Sequence, residues 1–187
     1  MEVVKMKICI DPGHSGPYEP GACVGGVTEA AINMAISKNV GEILFWLGYE
    51  VIFTRIGDIE QDDLEFRAQL ANNEDADLFV SIHCNSAESP VANGVEIYHH
   101  PDSEEGMTLA VLIAGVLPES TTLENRGVKE ENFAVLRLTN MPAVLVECGF
   151  LSSESDRQIL TDERQQTAIA LGIAAGINRY FILGVEK

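Results

Sequence analysis

Residues 7–14 read KICIDPGH, a strand-like run that ends in Asp, Pro, Gly and a histidine. The pattern returns as LFVSIH at 78–83 and as VLVE at 144–147, each time with an apolar run that ends in a titratable residue. Short runs rich in Val, Ile or Phe and bounded by Gly, Pro, Asp or Asn are typical of buried strands. These three segments therefore predict a sheet, and the remaining elements are arranged around it.

Strand-like and helix-like segments alternate along the chain. Strands are predicted at 7–10, 51–54, 78–82, 95–98, 133–136 and 143–146. Helices are predicted at about 32–47, 64–71, 104–117 and 161–181, the first with Thr28 as N-cap and Gly48 at the C′ position. This alternation predicts an α/β fold with a largely parallel sheet. No repeat, low-complexity tract or linker is visible, so we expect one domain over 1–187.

The charge balance restricts the partners of the chain. Twelve Lys and Arg stand against 29 Asp and Glu, a formal charge of -17 without any basic run. We expect no nucleic-acid binding, which draws on cationic side chains. We also expect no membrane insertion, because no apolar stretch approaches the roughly 18–20 residues that span a bilayer. The opening segment lacks the features of a secretory signal, so a signal was removed or export follows another route.

The cysteines and one histidine pair give no site of their own. The four cysteines form no CxxC pair and are expected to be free buried thiols: Cys9, Cys23, Cys84 and Cys148. His99 and His100 are expected at the surface, because consecutive residues of a strand point to opposite faces.

A candidate metal site follows from where the strands end. In an open α/β sheet the ligand crevice lies beyond the carboxyl ends of the strands, which brings His14, His83 and Glu147 to one rim. Glu29 begins the first predicted helix and returns to the neighbourhood of His14. A zinc enzyme needs about three ligands, a position for water and commonly a carboxylate that takes the proton of that water. Structural alternatives remain, since a strand-end histidine can be a hydrogen-bonded framework residue and Glu29 can complement the helix dipole.

Four sequence blocks carry a family resemblance. They are IDPGHSG at 10–16, Glu29 at a helix start, SIHCN at 81–85 and PAVLVECGFLS at 142–152. In this order, over about 7–181, they resemble the zinc-dependent N-acetylmuramoyl-L-alanine amidases of the AmiC-like (amidase type 3) family. The resemblance implies a three-layer α/β/α domain, with a twisted sheet of about six strands and helices on both faces. It also implies hydrolysis of the amide between N-acetylmuramic acid and L-alanine in peptidoglycan.

The resemblance also implies residue roles. It makes His14, Glu29 and His83 the ligands of one Zn²⁺ ion, and Glu147 the catalytic residue that takes the proton of the attacking water. Asn85, Arg126 and Lys129 also match the pattern of the family, either as substrate-facing groups or as structural hydrogen bonds and solvated charges.

Further expectations concern the biological setting. The segment between His83 and Glu147 is too short for the occluding insertion of some relatives, so we expect an open site. We expect a monomer that acts on the bacterial cell wall after secretion or lysis, and no wall-binding domain in this chain.

Three rival functions stay open at this point. A cysteine hydrolase would use Cys84 or Cys148 as nucleophile. A different zinc peptidase or deacetylase would share the metal residues, and a non-catalytic peptidoglycan-binding module would share the fold.

Overall fold

The computed structural model describes residues 5–60, 63–89 and 91–184. The ends of the expected domain, 1–4 and 185–187, lie outside the described residues. The strands are β1 Lys7–Pro12, β2 Cys23–Val24, β3 Val27–Thr28, β4 Glu50–Phe53, β5 Leu78–Asn85, β6 Val95–His99, β7 Asn125–Glu130 and β8 Ala143–Phe150. The helices are α1 Glu29–Trp46, α2 Leu64–Asn73, α3 Glu104–Val116, α4 Ala134–Arg137, α5 Glu154–Leu160 and α6 Glu163–Ile182, with a 3-10 turn at Leu117–Ser120.

The main sheet has six strands in the order β4-β1-β5-β8-β6-β7. The first four of these run parallel to one another, whereas β6 is antiparallel to β8 and parallel to β7. The carboxyl ends of β1, β5 and β8 therefore share a rim with the amino ends of β6 and β7. The predicted mostly parallel sheet of about six strands is confirmed.

Side chains alternate between the two faces of this sheet, and each face has its own core. Ile8, Ile10, Val80 and Val144 pack on one face together with α1, α3 and α6. The intervening positions pack on the other face against α2 and α4. The expected three-layer α/β/α arrangement is thus confirmed. One helical layer is much thinner than the other, and the site described below opens on the thin side.

Two of the strand predictions differ from the structure. The run at 133–136 is wrong as a strand, because Ala134–Arg137 forms one helical turn that buries Val135 and Leu136 against the sheet. A run this short cannot be assigned to strand or helix by periodicity alone. The strand Asn125–Glu130 was not predicted, since its polar sequence NRGVKE lacks the apolar signal of a buried strand.

The helix predictions are confirmed at α1 and differ from the structure near the end of the chain. α1 does begin after Thr28, and Gly48 follows its end with a φ of 99°. The segment 161–181 was expected to be one helix, but α6 begins only at Glu163 and α5 precedes it. Asp162 separates them, because its side chain accepts hydrogen bonds from the first backbone N–H groups of α6.

Two further observations complete the fold. His99 was wrongly expected at the surface: it is 3% exposed, because β6 lies between β8 and β7. Within the described ranges, every helix is too short or too polar to cross a membrane.

Candidate metal centre

The first candidate ligand lies in the turn that follows β1. His14 has a φ of 62°, a left-handed conformation that costs a non-glycine residue about 1–3 kcal/mol. A Cβ atom on Gly13 would lie 2.2 Å from Nε2 of His83, so this close approach requires glycine. The turn thereby brings the two imidazoles together, with ring centroids 5.0 Å apart.

Two buried arginines hold the backbone of this turn. Arg55 donates through Nε and Nη2 to the carbonyls of residues 12 and 13, at 2.8 Å each. Arg67 donates through Nη2 to the carbonyl of His14 at 2.7 Å and pairs through Nη1 with Oδ1 of Asp11 at 2.6 Å. Burial alone would raise the pKa of Asp11, but the Arg67 guanidinium outweighs it and keeps that pKa low. The strained turn is thus held by charged groups inside the fold.

Glu29 lies between the two histidines. It is the first residue of α1 and is 5% exposed. Its Oε2 atom lies 3.0 Å from Nε2 of His14, and its Oε1 atom lies 3.0 Å from Nδ1 of His83. The backbone N–H groups of Ala22 and Cys84 donate to the same carboxylate at 3.0 and 3.1 Å. These donors fix the carboxylate at the start of a helix, where the helix dipole favours its negative charge.

Glu147 is the neighbour of His83 on the adjacent strand, since the two residues are register partners of β5 and β8. Its Oε2 atom is buried, and no group in the described part of the chain donates to it. Burial raises the pKa of Glu147 to about 7, an effect that attraction by His83 opposes and repulsion by Glu29 reinforces. A carboxyl group with this pKa can accept and return a proton near neutral pH.

The ionisation of the cluster shows that it attracts positive charge. Burial works against the charge of Glu29, yet the hydrogen bonds of His14 and His83 lower its pKa below the ordinary value. Burial also disfavours the charged form of His14, but contacts with Glu29 and Glu19 raise its pKa to about 9. Glu19, which the sequence did not indicate, contacts Nδ1 of His14. A carboxylate in that position orients the ring and increases its basicity.

These residues fit a divalent metal ion. One donor atom from each of His14, Glu29 and His83 lies within 4.8 Å of the other two. Two imidazole nitrogens and one carboxylate oxygen form a donor set that catalytic zinc sites use, with a fourth position left for water or substrate. The acidic surroundings that favour protonated imidazoles would favour a cation equally.

The centre borders a cavity of about 400 Å³, which Glu147, Asn85 and Phe133 also line.

The cysteines beside the candidate metal centre are poor nucleophiles. Cys84 and Cys148 are buried, and burial raises the pKa of both thiols well above the ordinary value. Because the thiolate is the reactive form, this observation disfavours a cysteine hydrolase.

The three residues with weaker sequence support meet at a fourth, Glu96. Asn85 donates to its Oε2 atom at 3.0 Å, while Arg126 and Lys129 each contact its Oε1 atom at 2.5 Å. Glu96 was missed in the sequence, although it stands inside the apolar run 95–98. The cost of burying a carboxylate, which drew attention to Glu147, would have marked it as well.

The chain is similar in sequence and in structure to known proteins. The family model described as N-acetylmuramoyl-L-alanine amidase matches residues 8–179. The uncharacterized protein YqiI of Bacillus subtilis is 38% identical, with 93% of this chain and 84% of that protein covered. The crystal structure of an N-acetylmuramoyl-L-alanine amidase from Clostridium difficile 630 is 34% identical, with a TM-score of 0.90 over 95% of this chain and 97% of that chain.

Some relatives are considerably longer. The probable cell wall amidase LytH of Staphylococcus epidermidis is 32% identical over 93% of this chain, which spans 58% of that protein. The similarity thus covers nearly all of this chain, but only part of such relatives.

Proposed function

The chain belongs to the N-acetylmuramoyl-L-alanine amidase family, and we propose that it hydrolyses the amide between N-acetylmuramic acid and L-alanine in peptidoglycan with the help of zinc. The position of Glu147 beside the cluster of His14, Glu29 and His83 supports this function most strongly, because no group among the described residues donates to its Oε2 atom. It places a proton acceptor next to a set of metal donors.

We propose that His14, Glu29 and His83 hold one Zn²⁺ ion. When bound, zinc supplies Lewis acidity, which lowers the pKa of water towards about 7 and stabilises negative charge on a carbonyl oxygen. Glu19 keeps the His14 ring oriented through Nδ1, and the backbone donors to Glu29 keep its carboxylate in place.

Glu147 moves the proton. Its carboxylate takes a proton from the water that attacks the lactyl carbonyl of N-acetylmuramic acid, and returns it to the nitrogen of L-alanine as the C–N bond breaks. Burial raises the pKa of Glu147 above that of an exposed glutamate, which favours return of the proton to the leaving nitrogen. The products are a glycan strand with a free lactyl carboxylate and a peptide with a free amino terminus.

The surrounding residues and the setting complete the proposal. Asn85 faces the substrate from the cavity wall, and Arg126 and Lys129 do so from the neighbouring edge. The chain acts on the bacterial cell wall as one catalytic domain and as a monomer, after secretion or lysis.

Two substitutions separate metal binding from catalysis. Glu147→Gln should keep zinc at the wild-type content while turnover of purified peptidoglycan falls at least about 100-fold. His83→Ala should lose both the metal and the activity. Glu163→Gln, at an exposed glutamate on α6, is the matched control and should behave as the wild type.

Elemental analysis measures the zinc content of each variant, and the amount of peptide amino termini released from peptidoglycan measures its turnover. Full turnover by Glu147→Gln, or zinc retained by His83→Ala at the wild-type content, would refute the assigned roles. A zinc-loaded wild type that leaves muramyl-peptide intact would refute the proposed substrate.

A further inference from the structure

We infer that Glu96 is a positioning residue that holds Arg126 and Lys129 as a binding site for a carboxylate of the substrate peptide. This inference rests on the proposed function, because it names the part of that substrate which the edge of the site recognises.

The contacts of Glu96 are those of a buried hub. Its side chain is 3% exposed and accepts from four groups. Arg126 Nε and Lys129 Nζ contact Oε1 at 2.5 Å each, while Tyr98 OH at 2.7 Å and Asn85 Nδ2 at 3.0 Å donate to Oε2. Every lone pair that the carboxylate offers is thereby used within the protein. Glu96 has no capacity left for a ligand, so its function is to hold the groups around it.

The two cations differ from Glu96 in their exposure. The side chain of Arg126 is 34% exposed and that of Lys129 is 38% exposed. The Arg126 guanidinium also stacks on the ring of Phe150, 5.1 Å from its centroid. One buried negative charge faces two half-exposed positive charges, so the group keeps a net charge of +1 on its solvent side.

An irregularity in β7 brings the two cations to the same side of the sheet. Positions 126 and 129 are three residues apart and would face opposite sides of a regular strand. Between β6 and β7, however, the register passes from Val95↔Asn125 to Ile97↔Val128, so β7 holds one extra residue there. Gly127 has a φ of 84°, which favours glycine. The bulge is thus a built feature that re-aims Arg126 towards Glu96.

Glu96 and its two cations lie on the same row of the sheet as Glu147 and His83. Glu96 is the register partner of Glu147, which is in turn the register partner of His83. The three side chains therefore form a row across the sheet, and the cations lie at its end. Neighbouring strands are about 4.8 Å apart, so β7 lies roughly 10 Å from β8, which corresponds to about three residues of extended peptide.

The chemistry of the substrate identifies the ligand. The glycan side of the scissile amide carries no charged group close by, whereas the peptide side carries carboxylates. A paired guanidinium and ammonium recognise a carboxylate through charge-assisted hydrogen bonds. Holding both cations in place beforehand reduces the side-chain entropy that is lost on binding. Without Glu96 the two positive charges would also repel each other.

The test compares two soluble muramyl-peptides that differ only in a carboxylate or a carboxamide on the peptide. For the wild type we expect a kcat/KM about tenfold higher with the carboxylate, mainly through KM. Arg126→Gln and Lys129→Gln should each remove most of this preference. Glu96→Gln should reduce the preference as well, although Glu96 has no contact with the substrate, and Glu96→Asp should restore part of it.

The outcomes distinguish the two levels of the proposal. A wild type that cleaves both substrates equally, or a Glu96→Gln variant that loses activity on both without any change in preference, would overturn the inference alone. A wild type that cleaves neither substrate when loaded with zinc would overturn the proposed function itself. Because Arg126 and Lys129 are half-exposed, their variants keep the test valid if Glu96→Gln fails to fold.

Discussion

Two charged clusters flank the candidate metal centre, and their charges are arranged in opposite ways. Beside His14, the cations are inside: Arg67 is 2% exposed and Arg55 is 4% exposed, and both donate to carbonyls of the turn. Beside Glu147, the anion is inside, and the cations around Glu96 reach solvent. The same residue types are therefore used in two different ways.

Which charge is buried determines what each cluster can do. A buried guanidinium uses its donors on the backbone and has none to offer a ligand, so it fixes the path of the chain. A buried carboxylate that collects half-exposed cations leaves their outer donors available. We therefore propose that the first cluster is a framework for the candidate metal ligands and that the second is a surface for recognition.

The largest difference between the clusters should appear in stability. Arg67→Met leaves Asp11 buried without its main cationic partner, so we expect the free energy of unfolding to fall by about 3–5 kcal/mol. The matched variant Arg126→Met removes a half-exposed cation and should cost about 1 kcal/mol or less. Urea unfolding of the two variants measures this contrast. Equal losses of unfolding free energy in the two variants would contradict the distinction between a structural and a solvent-facing cluster.

A smaller effect is expected on zinc affinity. Arg55 donates to the backbone carbonyls of the turn that precedes His14. Loss of an outer partner of a metal site typically weakens metal binding about 10–100-fold. We expect a weakening in this range for Arg55→Met and no change for Lys129→Met. Competition with a chromophoric chelator provides the affinities. Loss of affinity in the Lys129 variant would contradict the separation of framework and recognition.

The smallest expected effect is a dependence of the free energy of unfolding on pH. Burial works against the charge of Glu96, but Lys129 and Arg126 lower its pKa from 4.5 to about 2. A group whose pKa is lowered in the folded state stabilises it above its unfolded pKa and loses this effect as the pH falls towards its folded pKa. The stability difference between wild type and Glu96→Gln should therefore be largest above pH 4.5 and should shrink between pH 4.5 and 2. A difference that stays constant over this range would contradict the ion pairing.

Much of the parallel part of the fold could be predicted from the sequence. The runs that became β1, β5 and β8 are rich in apolar residues because both faces of these strands are buried, and the run VIF of β4 is apolar although this strand lies at the edge of the sheet. The common direction of parallel strands was enough to predict that His14, His83 and Glu147 lie at one rim of the sheet. The resemblance to a family supplied the role of each residue.

The edge of the site that contains Glu96, Arg126 and Lys129 was harder to predict, for physical reasons. β7 has a polar sequence because it is an edge strand, and its bulge reverses the side of Arg126 relative to a regular strand. Arg55 and Arg67 gave no signal, since their partners, which are backbone carbonyls and the Asp11 carboxylate, lie far away in the sequence. Glu96 was the exception, because a glutamate inside an apolar run can be recognised without a structure.

We propose that the cluster of His14, Glu29, His83 and Glu147 hydrolyses the muramyl amide with zinc. Mass spectrometry of peptidoglycan digested in oxygen-18 water tests it most directly. Zinc-loaded protein should release peptides that begin with L-alanine and place the label in the lactyl carboxylate of the glycan. A chelator should stop the release, and added zinc should restore it. Label in a peptide carboxylate instead, or release that persists without metal, would contradict the account.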